Sequence, residues 1–414
     1  MWPFKTLVDA MARKRQLADW KRKGRKFFIC HVQHENDRVA VGHLTDFFNW
    51  VGVDVGVIEF NVTGQRPELL AALGDDTIAV IGYNSQLDQS WIGEETFVAM
   101  AARRGIPVIE CILDHPSHRW PEFAHNLDAP NVRYVFVSRY CEQYFLRYAV
   151  PHANTATVSF PTNPFSRATD TSREAFLSRD IACMIPLNLR RLGGTLAELD
   201  AKVSALAPPL AEAVRDAIGR ARHDLDNPLV LHLEHTLAQR KIEVPDKVVH
   251  VCAALVEDAT SAWRRRRIFE VASRFPVLIQ TDLPPPDLAA NAAATFRATP
   301  EWTNPKATIE RMKSCRSVLS VSVTNDALHD RMGNAISAGC VAVVEDNAAY
   351  RRWVTSGESA LLFRYDDDSL ERALDLVCHH PERAYDIAQR GLVLRDDPAF
   401  RFGGGDGLLR LATR

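Results

Sequence analysis

The chain has 414 residues, of which 46% are hydrophobic and 25% are charged, and its formal net charge is -2. This composition is that of a globular protein long enough for two hydrophobic cores, and the small net charge argues against nucleic acid as a partner. No apolar run is long enough to cross a membrane and no signal-peptide pattern is present, which predicts a cytoplasmic protein. The eight cysteines lack CxxC and CxxH spacings, so we expect reduced, buried thiols and neither disulfides nor zinc.

Residues 1–26 are a basic segment. Nine Lys and Arg side chains alternate there with aromatic and aliphatic residues, against only two acids, Asp9 and Asp19. A basic helix with anchors such as Trp2 and Trp20 can lie on an anionic membrane surface. The alternative is a terminal helix that packs on its own domain and turns a charged face to water.

An alternation of strand-like and helical patterns begins at residue 27. Short runs rich in Val and Ile are separated by helical patterns, which predicts a doubly wound parallel sheet and a first domain over residues 27–178. Polar clusters follow the predicted strands, and two of them contain His34, Glu35, Asp114 and His115. The predicted strands are 27–32, 53–60, 77–81, 108–113, 133–137 and 157–160, and the predicted helices are 39–51, 95–104 and 141–148.

A second alternation follows residues 161–180, whose Pro, Ser and Thr residues indicate an interdomain linker. The predicted second domain, 179–414, contains a long helical insertion, in which the basic run 264–267 is expected to form a solvated face. We therefore predict an α/β protein with two Rossmann-like parallel sheets. The insertion covers 196–256 and 258–273, and the strands around it are predicted at 181–185, 277–280 and, weakly, 295–299.

The pattern over residues 317–345 predicts a βαβ unit, because two apolar runs are separated by one short helix and a glycine. The loop after the first strand must lie at the carboxyl edge of the sheet, where helix N-termini favour anions. Asn325 and Asp326 are expected to cap the helix, with His329 and Arg331 in or just before its first turn. Two basic side chains there indicate a bound anion such as phosphate, or alternatively only a surface pair.

Several well-known motifs are absent from the sequence. It has no Walker P-loop, no GxGxxG directly after a strand, no HExxH and no GxSxG. Phosphoryl transfer from ATP and hydride transfer from NAD therefore lack their usual cradles. The acidic run 366–368 superficially resembles a metal-binding DxD motif, but it precedes a helix and is expected to cap that helix.

One pattern in the second half, about 100 residues long, resembles that of a known family. It consists of Asn325-Asp326-x-x-His329-Asp330-Arg331-x-x-Asn334 with the run 335–344 that follows, and it continues through Arg351-Arg352-Trp353, Ser356-Gly357 and Leu362-Phe363 to Pro381-Glu382. This pattern resembles the donor-binding half of GT-B glycosyltransferases, in the family 1-like group related to spore-maturation-type transferases. The resemblance implies two Rossmann-like domains facing across a cleft, and a nucleotide sugar as the substrate.

The resemblance also assigns donor-binding residues. An acidic pair spaced by seven residues, usually two Glu in the family, falls on Asp326, toward the donor sugar, and Asn334, toward the ribose. An Asn can still hydrogen-bond a ribose hydroxyl, although it supplies no charge. Arg331 matches the basic position near the donor diphosphate, with His329 beside it, and a guanidinium suits phosphate oxygens. Arg190, or its neighbour Arg191, is the candidate for a second contact.

An inverting transfer needs a general base from the first domain. His115, oriented by Asp114, is our candidate, because the ordinary pKa of histidine lies near neutral pH. His34 and Glu35 at the end of the first strand are the rivals. The alternative is that His115 only hydrogen-bonds a loop.

The resemblance implies a glycosyltransferase that moves a sugar from a nucleotide sugar to a glycan or protein acceptor, in polysaccharide or glycoconjugate biosynthesis. It implies no bound metal and no other cofactor. One alternative on the same fold is a nucleotide-sugar 2-epimerase, which needs no acceptor. Another is a degenerate GT-B module that binds a glycan or protein, a reading motivated by the departures at Asp326 and Asn334. We expect membrane contact only through residues 1–26.

Overall fold

The computed structural model describes residues 4–32, 35–61, 65–84, 86–87, 89–118, 129–187, 195–281, 293–298, 305–321 and 325–413. The chain forms two compact units, each containing its own parallel sheet. The two Rossmann-like sheets expected from the alternating pattern are therefore confirmed. The first unit comprises Met1–Val137, Cys141–Val158 and Phe402–Arg414, and the second comprises Ser138–Tyr140 and Ser159–Arg401.

The units differ from the predicted division at two places. The stretch 161–180, expected to be a linker, clusters with the second unit because it folds into a helix capped by Ser172 that buries Phe176. The last residues of the chain, 402–414, return to the first unit, where the left-handed Gly404 lies against Thr157. A hydrophobic pattern predicts neither assignment, because both depend on contacts between residues far apart in the sequence.

No helix in the described part of the chain is both long and apolar enough to cross a lipid bilayer.

The first unit contains a six-stranded parallel sheet in the order β2-β1-β3-β6-β7-β8, and a small hairpin of β4 and β5. The strands are β1 (Lys26–Val32), β2 (Asp54–Phe60), β3 (Thr77–Tyr83), β4 (Trp91–Ile92), β5 (Glu95–Thr96), β6 (Val108–Ile112), β7 (Val132–Phe136) and β8 (Thr155–Thr157). The helices are α1 (Phe4–Arg22), α2 (Glu35–Val51), α3 (Phe97–Arg103) and α4 (Arg139–Tyr148), with α16 (Gly405–Leu411) from the C-terminal segment.

The basic segment at the N-terminus forms α1 and packs on its own unit. Trp20 is 5% exposed and lies edge-on against Phe27, with ring centroids 5.6 Å apart. Arg13 forms an ion pair with Asp406 of α16. The packed-helix alternative therefore describes the end of α1, while Lys14, Arg15 and Lys21 remain exposed.

The second unit also contains a six-stranded parallel sheet, in the order β11-β10-β9-β12-β13-β14. From the centre of the sheet, β9, β10 and β11 are added in turn on one side, and β12, β13 and β14 are added in turn on the other. This is the Rossmann order, and its switch point lies between β9 and β12. The strands are β9 (Ile181–Pro186), β10 (Leu278–Thr281), β11 (Thr295–Ala298), β12 (Cys315–Ser320), β13 (Val341–Glu345) and β14 (Leu361–Phe363). The helices are α5 (Arg173–Leu177), α6 (Leu196–Ser204), α7 (Pro208–Ala221), α8 (Leu229–Gln239), α9 (Asp246–Ala272), α10 (Pro305–Met312), α11 (Asp330–Ser337), α12 (Ala348–Arg351), α13 (Ser369–His379), α14 (Pro381–Gly391) and α15 (Pro398–Arg401).

Both faces of the second sheet are covered, so its strands are apolar on both sides. Ile279 and Leu319 belong to the core on the side of α9, α13 and α14. Leu278 and Val318 belong to the core on the side of α10 and α11. Because successive strand residues point to opposite faces, the next even-numbered residues of β10 and β12 lie on the α11 side.

Candidate functional site

The predicted βαβ unit is confirmed as β12, α11 and β13, and it lies at the switch point of the second sheet. Open α/β sheets bind ligands at this point, because the loops after the two central strands diverge and leave a crevice. Gly339 follows Ala338, the C-cap of α11, and its φ of 69° is left-handed, as expected for a glycine just after a helix C-terminus. The sequence from β12 to β13 therefore places the start of α11 beside the carboxyl ends of β9 and β12.

The cap of α11 differs from the prediction. His329, and neither Asn325 nor Asp326, is the N-cap, and its Nδ1 accepts a hydrogen bond from Arg331 N at 3.1 Å. The same Nδ1 lies 2.6 Å from a carboxylate oxygen of Asp330. One ring nitrogen cannot accept and donate at once, so a ring with no hydrogen on Nδ1 suits the cap and a ring with Nδ1–H suits Asp330.

Arg331 lies at the carboxyl end of the central strand β9. Its Nη1 donates a hydrogen bond to the carbonyl oxygen of Pro186 at 3.0 Å. This bond fixes a permanent positive charge at the switch point, because a guanidinium does not lose its proton in proteins. His329 and Arg331 therefore lie at the start of α11, where the sequence predicts them.

Asp326 and Asn334 both make hydrogen bonds within the second unit. The carboxylate of Asp326 accepts from Ser138 Oγ, at 2.7 and 2.8 Å, and from Tyr140 N at 2.9 Å. Asn334 is fully buried, and its amide oxygen accepts from Asn163 N at 2.8 Å. Both residues hold neighbouring backbone in place in this structure, and their donor-binding roles stay predictions.

Arg264 is the largest departure from the sequence-based expectation. It was expected on a solvated face of the insertion, but it is 2% exposed. Its Nη1 donates to Asn325 Oδ1 at 2.9 Å, and its Nη2 donates to two backbone carbonyls at the end of α7, Ala221 at 2.8 Å and Asp224 at 2.9 Å. This one side chain ties α9 to the end of α7 and to the turn after β12.

A buried carboxylate completes this cluster. Glu345, at the end of β13, is fully buried and lies 3.5 Å from Arg264 Nη1. The Tyr365 hydroxyl donates to the same Glu345 oxygen at 2.7 Å. Burial, reinforced by the negative charge of Glu345, raises the pKa of Tyr365 well above its ordinary value, so the phenol stays protonated. Glu345 and Arg264 are separated by about eighty positions in the sequence, and no local pattern pairs them.

In the first unit, Asp114 and His115 follow β6, one strand away from the switch point between β1 and β3. His115 is 2% exposed, and its Nδ1 lies 2.8 Å from Ser117 Oγ and 3.2 Å from Ser117 N. Its ring contacts Tyr144, with centroids 4.7 Å apart. Asp114 lies 3.5 Å from the amide nitrogen of Asn84. The described contacts therefore place Ser117 at Nδ1 of His115, and the orientation of His115 by Asp114 stays a prediction.

Some predicted residues fall outside this description. Arg190, Arg191 and His34 lie outside the described residues. Glu35 is the first residue of α2, and its side chain is not among those described.

Two polar side chains at the switch point have no counterpart in the sequence-based prediction. Gln280, on β10, and Ser320, on β12, are each 1% exposed. Within the described ranges, neither amide atom of Gln280 nor the hydroxyl of Ser320 has a hydrogen-bond partner. Their only signal in the sequence is position, as polar residues at the ends of otherwise apolar strands.

A family model described as "Glycosyl transferase-like" matches residues 264–396 of this chain. That segment is glycosyltransferase-like. It begins at Arg264 and includes β10, β12, α11 and β13, and therefore most of the switch-point residues described above. No curated protein matches this sequence significantly.

Several solved structures are similar to this chain at low identity. HepE from Anabaena in complex with UDP-glucose is 8% identical, with a TM-score of 0.46, over 93% of this chain and 98% of HepE. Sucrose-phosphate synthase from Thermosynechococcus elongatus is 9% identical, with a TM-score of 0.45, over 89% and 93% of the two chains. A putative UDP-N-acetylglucosamine 2-epimerase from Listeria monocytogenes is 8% identical, with a TM-score of 0.37, over 93% of each chain. All three TM-scores lie below 0.5, so these likenesses do not assign a function.

Proposed function

We propose that the protein is a glycosyltransferase that moves a sugar from a nucleotide sugar to a glycan or protein acceptor, in polysaccharide or glycoconjugate biosynthesis. The observation that carries the proposal is Arg331, a fixed cation at the Rossmann switch point inside the glycosyltransferase-like segment. As the sugar leaves, negative charge builds on the nucleoside diphosphate, and a nearby guanidinium stabilises that charge. The chemistry then needs no bound metal and no other cofactor.

The donor site consists of Arg331, His329, Asp326 and Asn334, with Arg190 as a further contact. His329 supplies the helix cap through Nδ1, and the N–H at Nε2 of that tautomer is a further donor. Asp326 and Asn334 contact sugar and ribose hydroxyls only if they exchange some of their present partners. This requirement favours one rival, a binding module that holds a nucleotide or glycan without transfer.

Binding of UDP and GDP, measured by isothermal titration calorimetry, tests the donor site. Arg331→Ala should weaken binding by roughly tenfold to a hundredfold, because it removes a charged hydrogen-bond donor from phosphate. Arg274→Ala, at an exposed ion pair with Glu371, is the matched control and should bind as the wild type does. If the wild type binds neither nucleotide, or if Arg331→Ala binds equally well, the proposal is wrong.

The acceptor base is His115, with Asp114 beside it. His115→Ala should lower kcat by about a hundredfold or more and leave UDP affinity unchanged, as expected for loss of general-base catalysis. Ser117→Ala, which keeps the imidazole but removes its 2.8 Å partner, should reduce kcat less. Release of UDP and an altered sugar without any acceptor would indicate an epimerase instead.

We also propose a cytoplasmic location in which the exposed cations of α1 contact anionic membrane. Lys14, Arg15 and Lys21 are exposed, while Trp20 is buried and needed for packing. Changing the three cations to Glu therefore tests the charge without removing the helix. The variant should lose sedimentation with phosphatidylserine vesicles, and neither protein should sediment with phosphatidylcholine alone. Equal sedimentation of both proteins would contradict membrane contact.

A further inference from the structure

The ends of three neighbouring strands, β10, β9 and β12, form one row of residues at the switch point of the second sheet. Gln280 of β10 pairs in register with Pro186 of β9. Val318 of β12 pairs with Met184 of β9, so Ser320, two residues further along, lies level with Pro186 on the other side. The row Gln280–Pro186–Ser320 therefore crosses the sheet at the same height, with about 10 Å between its outer backbones.

All three side chains of the row lie on the α11 face of the sheet. Leu278, Met184 and Val318, each two residues earlier on the three strands, pack into the core beneath α11. Arg331, in the first turn of α11, donates to the carbonyl oxygen of Pro186 in the middle of the row. Proline carries no polar side-chain group, so the carboxamide of Gln280 and the hydroxyl of Ser320 flank the point that the guanidinium reaches.

Burial makes these two side chains informative. Gln280 and Ser320 are each 1% exposed, and neither has a hydrogen-bond partner in the described residues. Leaving a buried polar group unpaired costs roughly 1–3 kcal/mol, and such groups are uncommon in folded proteins. A carboxamide and a hydroxyl left unpaired on both sides of a fixed cation indicate a ligand rich in oxygen acceptors.

We propose that Gln280 and Ser320 bind the diphosphate of the nucleotide sugar together with Arg331. This inference rests on the proposed function and adds two residues to it. The amide NH2 of Gln280 and the hydroxyl of Ser320 donate to phosphoryl oxygens on either side of the guanidinium. The three donors surround the phosphates, so the developing charge meets groups that are already oriented.

Calorimetric titration of the full chain with UDP and UMP tests the assignment. Gln280→Met and Ser320→Ala should each bind UDP about tenfold or more weakly, because each removes a hydrogen bond to a charged group. The loss should be larger for UDP than for UMP, since the contacts are with the diphosphate. Gln280→Leu is a second apolar replacement, in case Gln280→Met does not fold.

Ser337→Ala is the matched control. Ser337 is also 1% exposed, its hydroxyl also lacks a partner in the described residues, and it lies at the opposite end of α11. The same substitution there should leave UDP affinity within about twofold of the wild type. Melting temperatures should stay the same or rise in all these variants, because an unpaired polar group is removed from the interior.

The outcomes separate this inference from the proposed function. If Arg331→Ala loses UDP while the Gln280 and Ser320 variants bind as the wild type does, only the added residues are wrong. A lower melting temperature in those variants with unchanged binding would assign them a structural role, such as holding a buried water. Equal losses for UDP and UMP would place the contact on the part that both nucleotides share, the nucleoside with its first phosphate, and the assignment to the diphosphate would be wrong. If the wild type binds no nucleotide, both the proposed function and the assignment of Gln280 and Ser320 are wrong.

Discussion

The carboxyl edges of the two sheets are built from different chemistry. In the first sheet, β1 ends at His31 and Val32, where His31 Nδ1 lies 2.8 Å from the Val32 carbonyl oxygen, and β6 is followed by the carboxylate of Asp114 and the buried imidazole of His115. In the second sheet, two guanidiniums, those of Arg264 and Arg331, are fixed by backbone carbonyls. The two sheets share a parallel doubly wound construction, so topology does not tell which edge suits an anion. The position of the fixed positive charge tells which edge suits an anion.

Removing Arg264 should have the largest effect on the free energy of unfolding. It would also remove one of the two fixed charges that distinguish the second sheet from the first. Arg264→Met removes the cation that lies 3.5 Å from the buried Glu345 and releases the carbonyls of Ala221 and Asp224. Loss of one partner of a buried pair typically costs about 3–5 kcal/mol, which urea unfolding measures directly.

The control for Arg264→Met is Arg274→Met, at an exposed pair with Glu371 whose N–O distance is 3.0 Å. This exposed pair should contribute no more than about 1 kcal/mol. If both substitutions cost the same, the Arg264 cluster does not stabilise the second edge.

The cluster around Arg264 also shows which contacts the sequence does not predict. The period of apolar residues predicts β12, α11 and β13, and hence the positions of His329 and Arg331, because these features are local. Arg264 stands in a run of four arginines on a helix, and nothing local distinguishes the one that turns inward. Its partners, Glu345 at the end of β13 and Asn325 in the turn after β12, lie far along the chain. Gln280 and Ser320 become informative only when the strand register places them beside the same residue of β9.

Gly404→Ala should have the next largest effect on the free energy of unfolding. It tests a second difference between the units, which is how contiguous each of them is in sequence. The second unit is nearly contiguous in sequence, whereas the first includes the returning segment 402–414. Gly404 has a φ of 78°, and a Cβ there would lie 2.2 Å from the Thr157 carbonyl oxygen of β8. Left-handed strain plus overpacking against backbone should cost roughly 2–4 kcal/mol in urea unfolding.

Gly24→Ala isolates the strain from the clash. Gly24 has a φ of 62°, with nothing within 4 Å of the position of its Cβ. This variant should lose only the left-handed penalty, about 1–2 kcal/mol. Equal losses in the two variants would mean that the contact of the C-terminal segment with β8 does not stabilise the first unit.

The smallest expected effect is a loss of stability of the second unit in mild acid. Burial lowers the pKa values of His232 on α8 and His250 on α9, although Asp224 and Asp246, respectively, oppose the shift. As the pH falls below about 6.5, these two histidines bind protons in the unfolded chain but not yet in the folded chain. Stability that is fully present above this pH is then lost on acidification, by at most about 1.4 kcal/mol per pH unit for each histidine.

Replacing His250 by Leu should therefore flatten the dependence of the unfolding free energy on pH between 7 and 5. His152→Gln, at an exposed turn of the first unit, should leave the slope unchanged. Urea titrations at several pH values measure both slopes, and the comparison depends on slopes only, so any constant cost of the substitution cancels. A steeper slope in His250→Leu would mean that the buried imidazole is protonated in the folded protein, with Asp246 outweighing the effect of burial.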